Sequence, residues 1–314
     1  MPHPTAHHRT RGTSAVLVLS VLALLAAGVC VVVPPWLAPH DPWHWPHEVP
    51  ADRAALVREG ERLFNETALH VGPTTPKAVS GNGMACRNCH LSGGTVRNAM
   101  GLVGITRRFP QFNARAGKKI LLEDRINGCF ERSLNGRRMP NESREMRAMV
   151  AYMGWLSDEV PAEMTKMPGQ GVMKLPDPPR AANPELGAEV FARKCVSCHG
   201  PQGQGSRNAD GTYLYPPLWG PDSFNNGAGM HRVRTAAAFI YRNMPLGDPL
   251  LNVEDAYDVA AFLNSQPRPQ RAGLERDYPD RKLKPFDSPY APWADSEDPR
   301  RHKYGPFPQS SGSR

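Results

Sequence analysis

The sequence is poor in apolar residues and rich in residues that interrupt helices. Only 40% of its 314 residues are hydrophobic, whereas 33 are proline and 28 are glycine. This composition argues against long helices and favours short ones joined by irregular segments. The length is enough for two ordinary domains with tails. Small domains with limited apolar material often gain stabilising contacts from a bound cofactor.

Acidic residues are the scarcer charged class. There are 30 Asp and Glu against 38 Lys and Arg, which gives a net charge of +8 and a pI of about 9.3. A basic balance suits nucleic acid, anionic lipid, or an anionic substrate or partner. The sequence lacks helix-turn-helix, zinc-finger and RNA-binding signatures, so nucleic acid is the weakest of these interpretations.

Long apolar runs are scarce, and one of them is long enough to cross a membrane. Residues 14–33 follow a basic start and match the ~20 residues of a membrane-spanning helix. The run exceeds the ~7–15-residue core of a cleaved signal peptide, and no clear A-x-A cleavage site follows it. We expect residues 1–35 to be an uncleaved signal anchor that leaves the rest of the chain on the periplasmic side of a bacterial cytoplasmic membrane. A cleaved, soluble periplasmic form is the alternative, and Cys30 is interpreted as an apolar filler of the run.

Four cysteines fall in two C-x-x-C-H motifs, Cys86-Arg-Asn-Cys89-His90 and Cys195-Val-Ser-Cys198-His199. This spacing is the attachment signature of c-type haem, because both thiols can add to haem vinyl groups and the histidine supplies a nitrogen to the iron. A redox dithiol or a zinc site competes with this interpretation for a single motif. Two copies in an exported chain favour two covalently bound haem c groups, with His90 and His199 as proximal iron ligands.

A repeat accompanies the two motifs. Gly60-x-x-x-Phe64 precedes the first motif, and Gly187-x-x-x-Phe191 precedes the second. Apolar residues at three- and four-residue spacing predict a helix on either side of each motif. The predicted helices are Arg53 to Phe64, Ser143 to Ser157, Pro184 to Phe191 and Val253 to Ser265. Each half resembles a small cytochrome c domain, in which a glycine lets the first and last helices cross closely.

The predicted fold is all-α, with two tandem cytochrome c domains that each carry one covalent haem. The segments are a signal or anchor helix at 1–35, the first domain with the catalytic haem at 50–165, a proline-rich linker at 166–183, the second domain with the electron-transfer haem at 184–267, and a tail at 268–314. Residues 65–85 are polar with Gly and Pro, so we expect a loop there. The tail is proline-rich without periodicity, so we expect it to be extended and to wrap the domains.

The distal iron ligands are less certain from spacing than the proximal ones. Met244 belongs to a Met-Pro pair shortly before the last helix, where cytochrome c domains carry a distal methionine that raises the reduction potential. Met230 and His231 are its competitors. In the first half, Met139 stands as far before Tyr152 as Met244 stands before Tyr257, and Cys129 precedes Met139. The residues alone leave Met139 and Cys129 as open alternatives.

The motifs around Cys129 resemble those of the dihaem thiosulfate dehydrogenases. The matching stretches are CRNCHLSGG, RFPQFNARAGK, LEDRINGCFERSLNG, SREMRAMVAYMGWLS, CVSCHGPQGQG, YPPLWGPDSFNNGAGM and FIYRNMPLGDP. The resemblance covers roughly residues 53–265, is weakest in 65–85, and is absent from the tail. It implies that two thiosulfate ions are oxidised to tetrathionate, or the reverse, and that electrons pass through the second haem to a cytochrome c-type acceptor.

The resemblance also implies roles for individual residues. Cys129 becomes the distal ligand of the first haem iron opposite His90. Arg115, Arg125 and Ser133 line a pocket for the dianionic substrate beside that haem, where fixed positive charge is needed. Cys129 either lowers the potential of the first haem as an anionic donor or leaves the iron to form a transient sulfur–sulfur adduct, and both roles stay open.

Two further arginines and one asparagine are not expected to bind substrate or iron. Arg137 and Arg138 are expected to solvate a surface. Asn243 stands where some members of that family carry a lysine immediately before the second-haem methionine. Exchange between lysine and methionine at the second iron is therefore not expected, which leaves a His199/Met244 pair.

Two other functions compete with thiosulfate oxidation. The first is a non-catalytic dihaem electron-transfer cytochrome c tethered to the membrane, for which we would expect His/Met ligation of both haems, with Met139 at the first. The second is catalysis on a different sulfur substrate, together with a carrier protein. The ligand at the first haem distinguishes the relay from the enzyme.

Overall fold

The computed structural model describes residues 41–44 and 47–308. The apolar run at 14–33 and Cys30 lie outside the described residues, so the anchor stays a prediction. Within the described part of the chain, no helix is both long and apolar enough to cross a membrane. Residues 42–308 belong to one compact unit. We refer to residues 50–165 as the first lobe, 166–183 as the linker, 184–267 as the second lobe and 268–308 as the C-terminal segment; these boundaries stay predictions.

Most of the regular secondary structure consists of short helices. The α-helices are α1 (Ala54–Asn65), α2 (Thr67–Val71), α3 (Leu91–Gly94), α4 (Leu122–Arg132), α5 (Arg144–Trp155), α6 (Pro184–Lys194), α7 (Val196–His199), α8 (Val233–Asn243), α9 (Val253–Ser265) and α10 (Pro299–Tyr304). The 3-10 helices are Ala51–Arg53, Cys86–Asn88, Ile105–Arg108, Gly229–His231, Leu274–Arg276 and Arg281–Leu283. The periodic segments predicted from the sequence correspond to α1, α5, α6 and α9.

Three small antiparallel pairs depart from the all-α expectation. The strands are β1 (Ala99–Gly101), β2 (Gln111–Asn113), β3 (Lys118–Ile120), β4 (Gly171–Val172), β5 (Ser206–Arg207) and β6 (Tyr213–Tyr215). In the described residues β1 pairs with β4, β2 with β3, and β5 with β6. Strands of two or three residues are too short to show a period of two in the sequence, so only the helices were predictable.

Each lobe is built on a close crossing of its first and last helices. A Cβ atom on Gly60 of α1 would lie 2.0 Å from the Ala148 carbonyl oxygen of α5. A Cβ atom on Gly187 of α6 would lie 2.0 Å from the Asp258 carbonyl oxygen of α9. No side chain fits at either distance, so the glycine repeat serves the helix contact that the sequence predicted.

The expected loop at 65–85 is partly wrong, because it contains α2. The Thr67 hydroxyl donates to the Leu63 carbonyl at 2.8 Å, which ties the start of α2 to the end of α1. Thr67 and Val71 are buried against the core of the first lobe. Burial of one face therefore stabilises a helix in a segment whose composition favours a loop.

The C-terminal segment packs along both lobes and the linker. The Tyr278 N–H donates to the Arg115 carbonyl at 2.9 Å, and the Ala182 N–H of the linker donates to the Tyr304 carbonyl at 2.8 Å. Most of the segment is irregular, but α10 corrects the expectation that all of it is extended. Asp298 caps α10 through the Arg300 N–H, and a proline occupies its first turn.

Candidate haem centres and anion site

The first C-x-x-C-H motif is anchored by α2. The Cys86 N–H donates to the buried Thr67 hydroxyl at 3.2 Å. His90 Nδ1 lies 2.6 Å from the Met100 carbonyl oxygen, which can only accept, so Nδ1 carries the proton. Nε2 would then be the nitrogen available to ligate an iron. Thr67 is a supporting residue that the sequence pattern missed, because a single buried threonine has no periodic signal.

The second motif has the same histidine geometry. His199 Nδ1 lies 2.9 Å from the Pro216 carbonyl oxygen, and burial lowers the pKa of His199, which favours the neutral ring. A cavity of about 400 Å³ adjoins Cys195, Cys198 and His199. Its wall is mostly apolar and includes Leu218, Phe224, Ile240, Leu251 and Leu263. Cys89 of the first motif also lines it. An apolar cavity that contains both thiols and the imidazole of one C-x-x-C-H motif fits a covalent haem c.

Three methionines line the cavity at the second motif. They are Met84 of the first lobe, Met230, and Met244, which directly follows α8. His231 is buried with Nδ1 2.9 Å from the Asn226 carbonyl oxygen, and burial lowers its pKa to about 3. His231 is not among the residues that line the cavity. The cavity wall thus includes Met244, as expected from the Met-Pro pair, and does not include His231, while the identity of the iron ligand stays a prediction.

Asn243, the residue before Met244, contacts the first lobe. It is buried, and its Nδ2 donates to the Phe239 carbonyl at 2.9 Å and to the Asn98 carbonyl at 3.2 Å. Asn98 lies just before Met100, whose carbonyl accepts from His90. The side chain that precedes Met244 thus has a structural role at the contact between the lobes.

Cys129 lies on α4 with a cation beside its sulfur. Arg125 Nη1 donates to Cys129 Sγ at 3.0 Å, one helical turn apart. Burial raises the pKa of Cys129, but Arg125 and the nearby His90 ring outweigh it and hold the pKa at about 6. In contrast, burial raises the pKa of the Cys86 and Cys89 thiols to about 12. Of these three thiols, Cys129 is therefore the one that this environment favours as a thiolate, and it lies beside the His90 ring.

Met139, the alternative distal ligand, is part of the apolar core of the first lobe. Its backbone N–H donates to Asn127 Oδ1 at 2.7 Å, and its carbonyl accepts from Asn127 Nδ2 at 3.0 Å. Asn127 lies on α4, two residues before Cys129. These two hydrogen bonds hold the Met139 backbone against α4. The sulfur that interacts with His90 is that of Cys129.

A second cation lies close to Arg125. Arg108 ends the 3-10 helix Ile105–Arg108, and burial together with the charge of Arg125 lowers its pKa. Arg125 itself is exposed. Two like charges held together near a sulfur atom form a region that favours an anion. The sequence did not predict Arg108 for this site, because it stands among several other basic residues in this stretch.

Ser133 lies beside Cys129, whereas the described contacts of Arg115 are made elsewhere. Ser133 follows α4 directly, and its N–H donates to the Cys129 carbonyl at 2.8 Å. Arg115 lies between β2 and β3, and its described partners belong to the C-terminal segment: Nε is 3.8 Å from Asp277 Oδ2, and the guanidinium lies 5.7 Å from the centre of the Tyr278 ring.

Arg137 and Arg138 are exposed, in agreement with their interpretation as surface residues. Arg138 Nη2 donates to Asp124 Oδ1 at 2.7 Å, and Arg137 Nη2 donates to the Ala78 carbonyl at 2.6 Å. Their charges are engaged away from Cys129.

Two protein-family models match the two lobes. A model described as SoxA/TsdA, cytochrome c domain, matches residues 76–162, and one described as Cytochrome c matches residues 184–267. Together with the two C-x-x-C-H motifs, they show two cytochrome c domains and two covalently attached haem c groups.

Characterised relatives extend the comparison to most of the chain. A thiosulfate dehydrogenase of Allochromatium vinosum is 48% identical over 220 residues, which are 68% of this chain and 78% of that protein. A thiosulfate dehydrogenase of Psychrobacter arcticus is 40% identical over 233 residues, covering 74% of this chain and 69% of that one. The solved thiosulfate dehydrogenase (TsdBA) from Marichromatium purpuratum, in its as-isolated form, is 34% identical with a TM-score of 0.66. That match covers 77% of this chain and 50% of the solved chain, so this chain spans half the length of that structure.

Proposed function

This chain belongs to the thiosulfate dehydrogenase family, and we propose that it joins two thiosulfate ions into one tetrathionate ion and passes two electrons to an external acceptor. The observation that carries the proposal is the environment of Cys129. Its sulfur faces the His90 ring and accepts a hydrogen bond from the exposed Arg125 guanidinium. The same residues would serve the reverse reaction, tetrathionate reduction.

Joining two dianions requires fixed positive charge, because the substrates repel each other as they approach. Arg125 and Arg108 supply two neighbouring cations, and the exposure of Arg125 leaves it open to an arriving anion. We assign Arg115 and Ser133 to the same pocket from the family resemblance. Ser133 is bonded through its backbone to Cys129, which supports a place beside the sulfur.

The residues of the two lobes suit different tasks at their haems. Bound haem c supplies one-electron storage at each centre. We propose His90 and Cys129 as the axial ligands at the first centre, where the substrate region lies. At the second centre we propose His199 and Met244, because a thioether raises the reduction potential and favours onward transfer. The external acceptor is proposed to be a soluble or membrane-bound c-type cytochrome.

We also propose a location on the periplasmic side of a bacterial cytoplasmic membrane. The basic start of the chain and the apolar run at 14–33 support an anchor there. Fractionation of cells expressing the full chain tests this proposal, with a variant carrying four aspartates in the run as the matched control. Recovery of a shortened chain without the N-terminal run in the soluble periplasmic fraction would favour cleavage instead.

The test of the activity uses the haem-loaded full chain with thiosulfate and ferricyanide. We expect two ferricyanide ions to be reduced for each tetrathionate ion formed, because the reaction releases two electrons and each ferricyanide ion accepts one. Haem-loaded protein that neither oxidises thiosulfate nor reduces tetrathionate would contradict the proposal and favour the electron-transfer relay.

A further inference from the structure

The C-terminal segment reaches the region of the proposed substrate pocket. It lies beyond residue 267, where the match to the second family model ends. A Cβ atom on Gly117, next to Arg115, would lie 3.0 Å from the Pro279 ring. The Tyr278 N–H donates to the Arg115 carbonyl at 2.9 Å. The segment thus holds the turn that carries Arg115 through both backbone and side-chain contacts.

Asp277 is the charged residue of the segment at this contact, and it is 7% exposed. Its Oδ1 accepts from Arg132 Nη2 at 2.7 Å, and its Oδ2 accepts from the Tyr290 hydroxyl at 2.7 Å. The same Oδ2 lies 3.8 Å from Arg115 Nε. One carboxylate therefore stands between two arginines that come from different elements of the first lobe.

The two arginines connect Asp277 to the Cys129 helix and to the proposed pocket. Arg132 lies on α4, three residues after Cys129, and its Nη1 also donates to the Gly227 carbonyl at 3.1 Å. Arg115 Nε is buried and has no hydrogen-bond partner in the described residues. Nε is the nitrogen of Arg115 that is nearest to Asp277. The carboxylate thus lies toward the stem of the guanidinium rather than toward its two terminal nitrogens.

We propose that Asp277 is a positioning residue for the substrate anion, acting through Arg115. This inference rests on the proposed function and extends it to a segment outside the matched family ranges. An arginine side chain loses considerable rotamer freedom when it is held in one place. Asp277, itself held by Arg132 and Tyr290, sets the orientation of Arg115 before the anion arrives. Binding of thiosulfate then orders less of the site and is stronger.

A simple charge effect predicts the opposite sign. Asp277 is an anion near a site for a dianion, so removing its charge would strengthen substrate binding if repulsion were its main effect. If positioning dominates, removing the charge weakens binding. The isosteric variant Asp277→Asn separates these two cases by the direction of change.

The experiment compares haem-loaded full-length wild type, Asp277→Asn and Asp280→Asn. Asp280 is an exposed carboxylate of the same segment that caps the turn at Lys282, so it is the matched control. We expect Asp277→Asn to raise KM for thiosulfate about ten- to a hundredfold with little change in kcat, because the negative charge that orients Arg115 is lost. Asp280→Asn should leave both constants unchanged. The calorimetric Kd of thiosulfate should rise in parallel with KM.

Tyr290→Phe serves as a second variant if Asp277→Asn fails to fold or to load haem. It removes the hydroxyl that holds Asp277 and keeps the ring, and we expect KM and Kd to rise about threefold. The positioning role would be overturned by an unchanged or lower KM and Kd in the folded Asp277→Asn protein. If that variant does not fold or load haem, the same result in Tyr290→Phe would overturn it.

The measurements keep this proposal apart from the proposed function. Wild type that turns over thiosulfate, with no effect of the Asp277 change, leaves the function standing and removes the positioning role. Wild type that binds thiosulfate without turnover contradicts the function, while the Kd comparison still decides the role of Asp277. Wild type that neither binds nor oxidises thiosulfate overturns both.

Discussion

At the scale of single residues, the sulfur of Cys129 differs from the attachment thiols in what surrounds it. Burial acts on Cys129, Cys86 and Cys89 alike, yet only the first has its pKa lowered. The difference is the nearby His90 ring and, above all, Arg125, whose guanidinium donates to the sulfur from one turn away along α4. An adjacent cation is a general means of keeping a thiolate in a protein. The sequence could show the four-residue spacing, but the contact required α4 to be a helix.

Arg125→Gln tests the cation at this site. We expect KM for thiosulfate to rise roughly tenfold or more, because a hydrogen-bonding charge is lost where a dianion binds. The matched control is Arg137→Gln, whose guanidinium is engaged with the Ala78 carbonyl away from the sulfur. Steady-state kinetics measure both variants. An equal loss in the two would mean that overall charge, and not the position of Arg125, governs substrate binding.

At the scale of elements, each lobe is built on the crossing of its first and last helices. These helices were the most predictable part of the fold. The periodic segments became α1, α5, α6 and α9, and the repeated glycines lie at their contacts. Helix α2 was missed, because what stabilises it is burial of Thr67 and Val71 rather than a local signal. The β pairs were missed because each strand is only two or three residues long.

Gly60→Ala tests the crossing in the first lobe. The added methyl group would meet the Ala148 carbonyl oxygen at 2.0 Å, so the helices must separate, at a cost of about 1–3 kcal/mol in the free energy of unfolding. Gly154→Ala in α5 is the control, since nothing lies within 4 Å of its Cβ position. That change should be neutral or stabilise by up to about 1 kcal/mol. Chemical denaturation followed by circular dichroism measures both, and equal stabilities of the two variants would contradict a close crossing.

At the scale of the whole molecule, a loop of the second lobe is bonded to the end of the Cys129 helix. Asn225 Nδ2 donates to the Glu131 carbonyl at 2.9 Å and to Asn135 Oδ1 at 3.0 Å, and Asp222 Oδ1 accepts from the Gly83 N–H at 2.9 Å. The C-terminal segment adds Asp277. Such contacts join residues far apart in sequence without any repeat or spacing, so two domains and a tail were predictable but their contacts were not.

Asn225→Ala tests this connection. Asn225 is 1% exposed. Removing its side-chain amide therefore leaves the Glu131 carbonyl and the Asn135 side chain each with one hydrogen-bond partner fewer in a buried contact. We expect a loss of about 1–3 kcal/mol in the free energy of unfolding. Asn226→Ala is the neighbouring control, because its side chain bonds Gln270 and Arg271 instead of the first lobe. A cost no larger than that of the control would show that this loop does not hold the lobes together.

The account as a whole depends on Cys129 being the reacting centre of the first lobe. The most direct measurement is the rate of tetrathionate formation from thiosulfate by haem-loaded Cys129→Ala, with Met139→Leu as the paired variant. We predict that Cys129→Ala falls to the rate of a protein-free control while keeping both haems, and that Met139→Leu keeps the wild-type rate. A wild-type rate in Cys129→Ala together with a collapse in Met139→Leu would contradict the account.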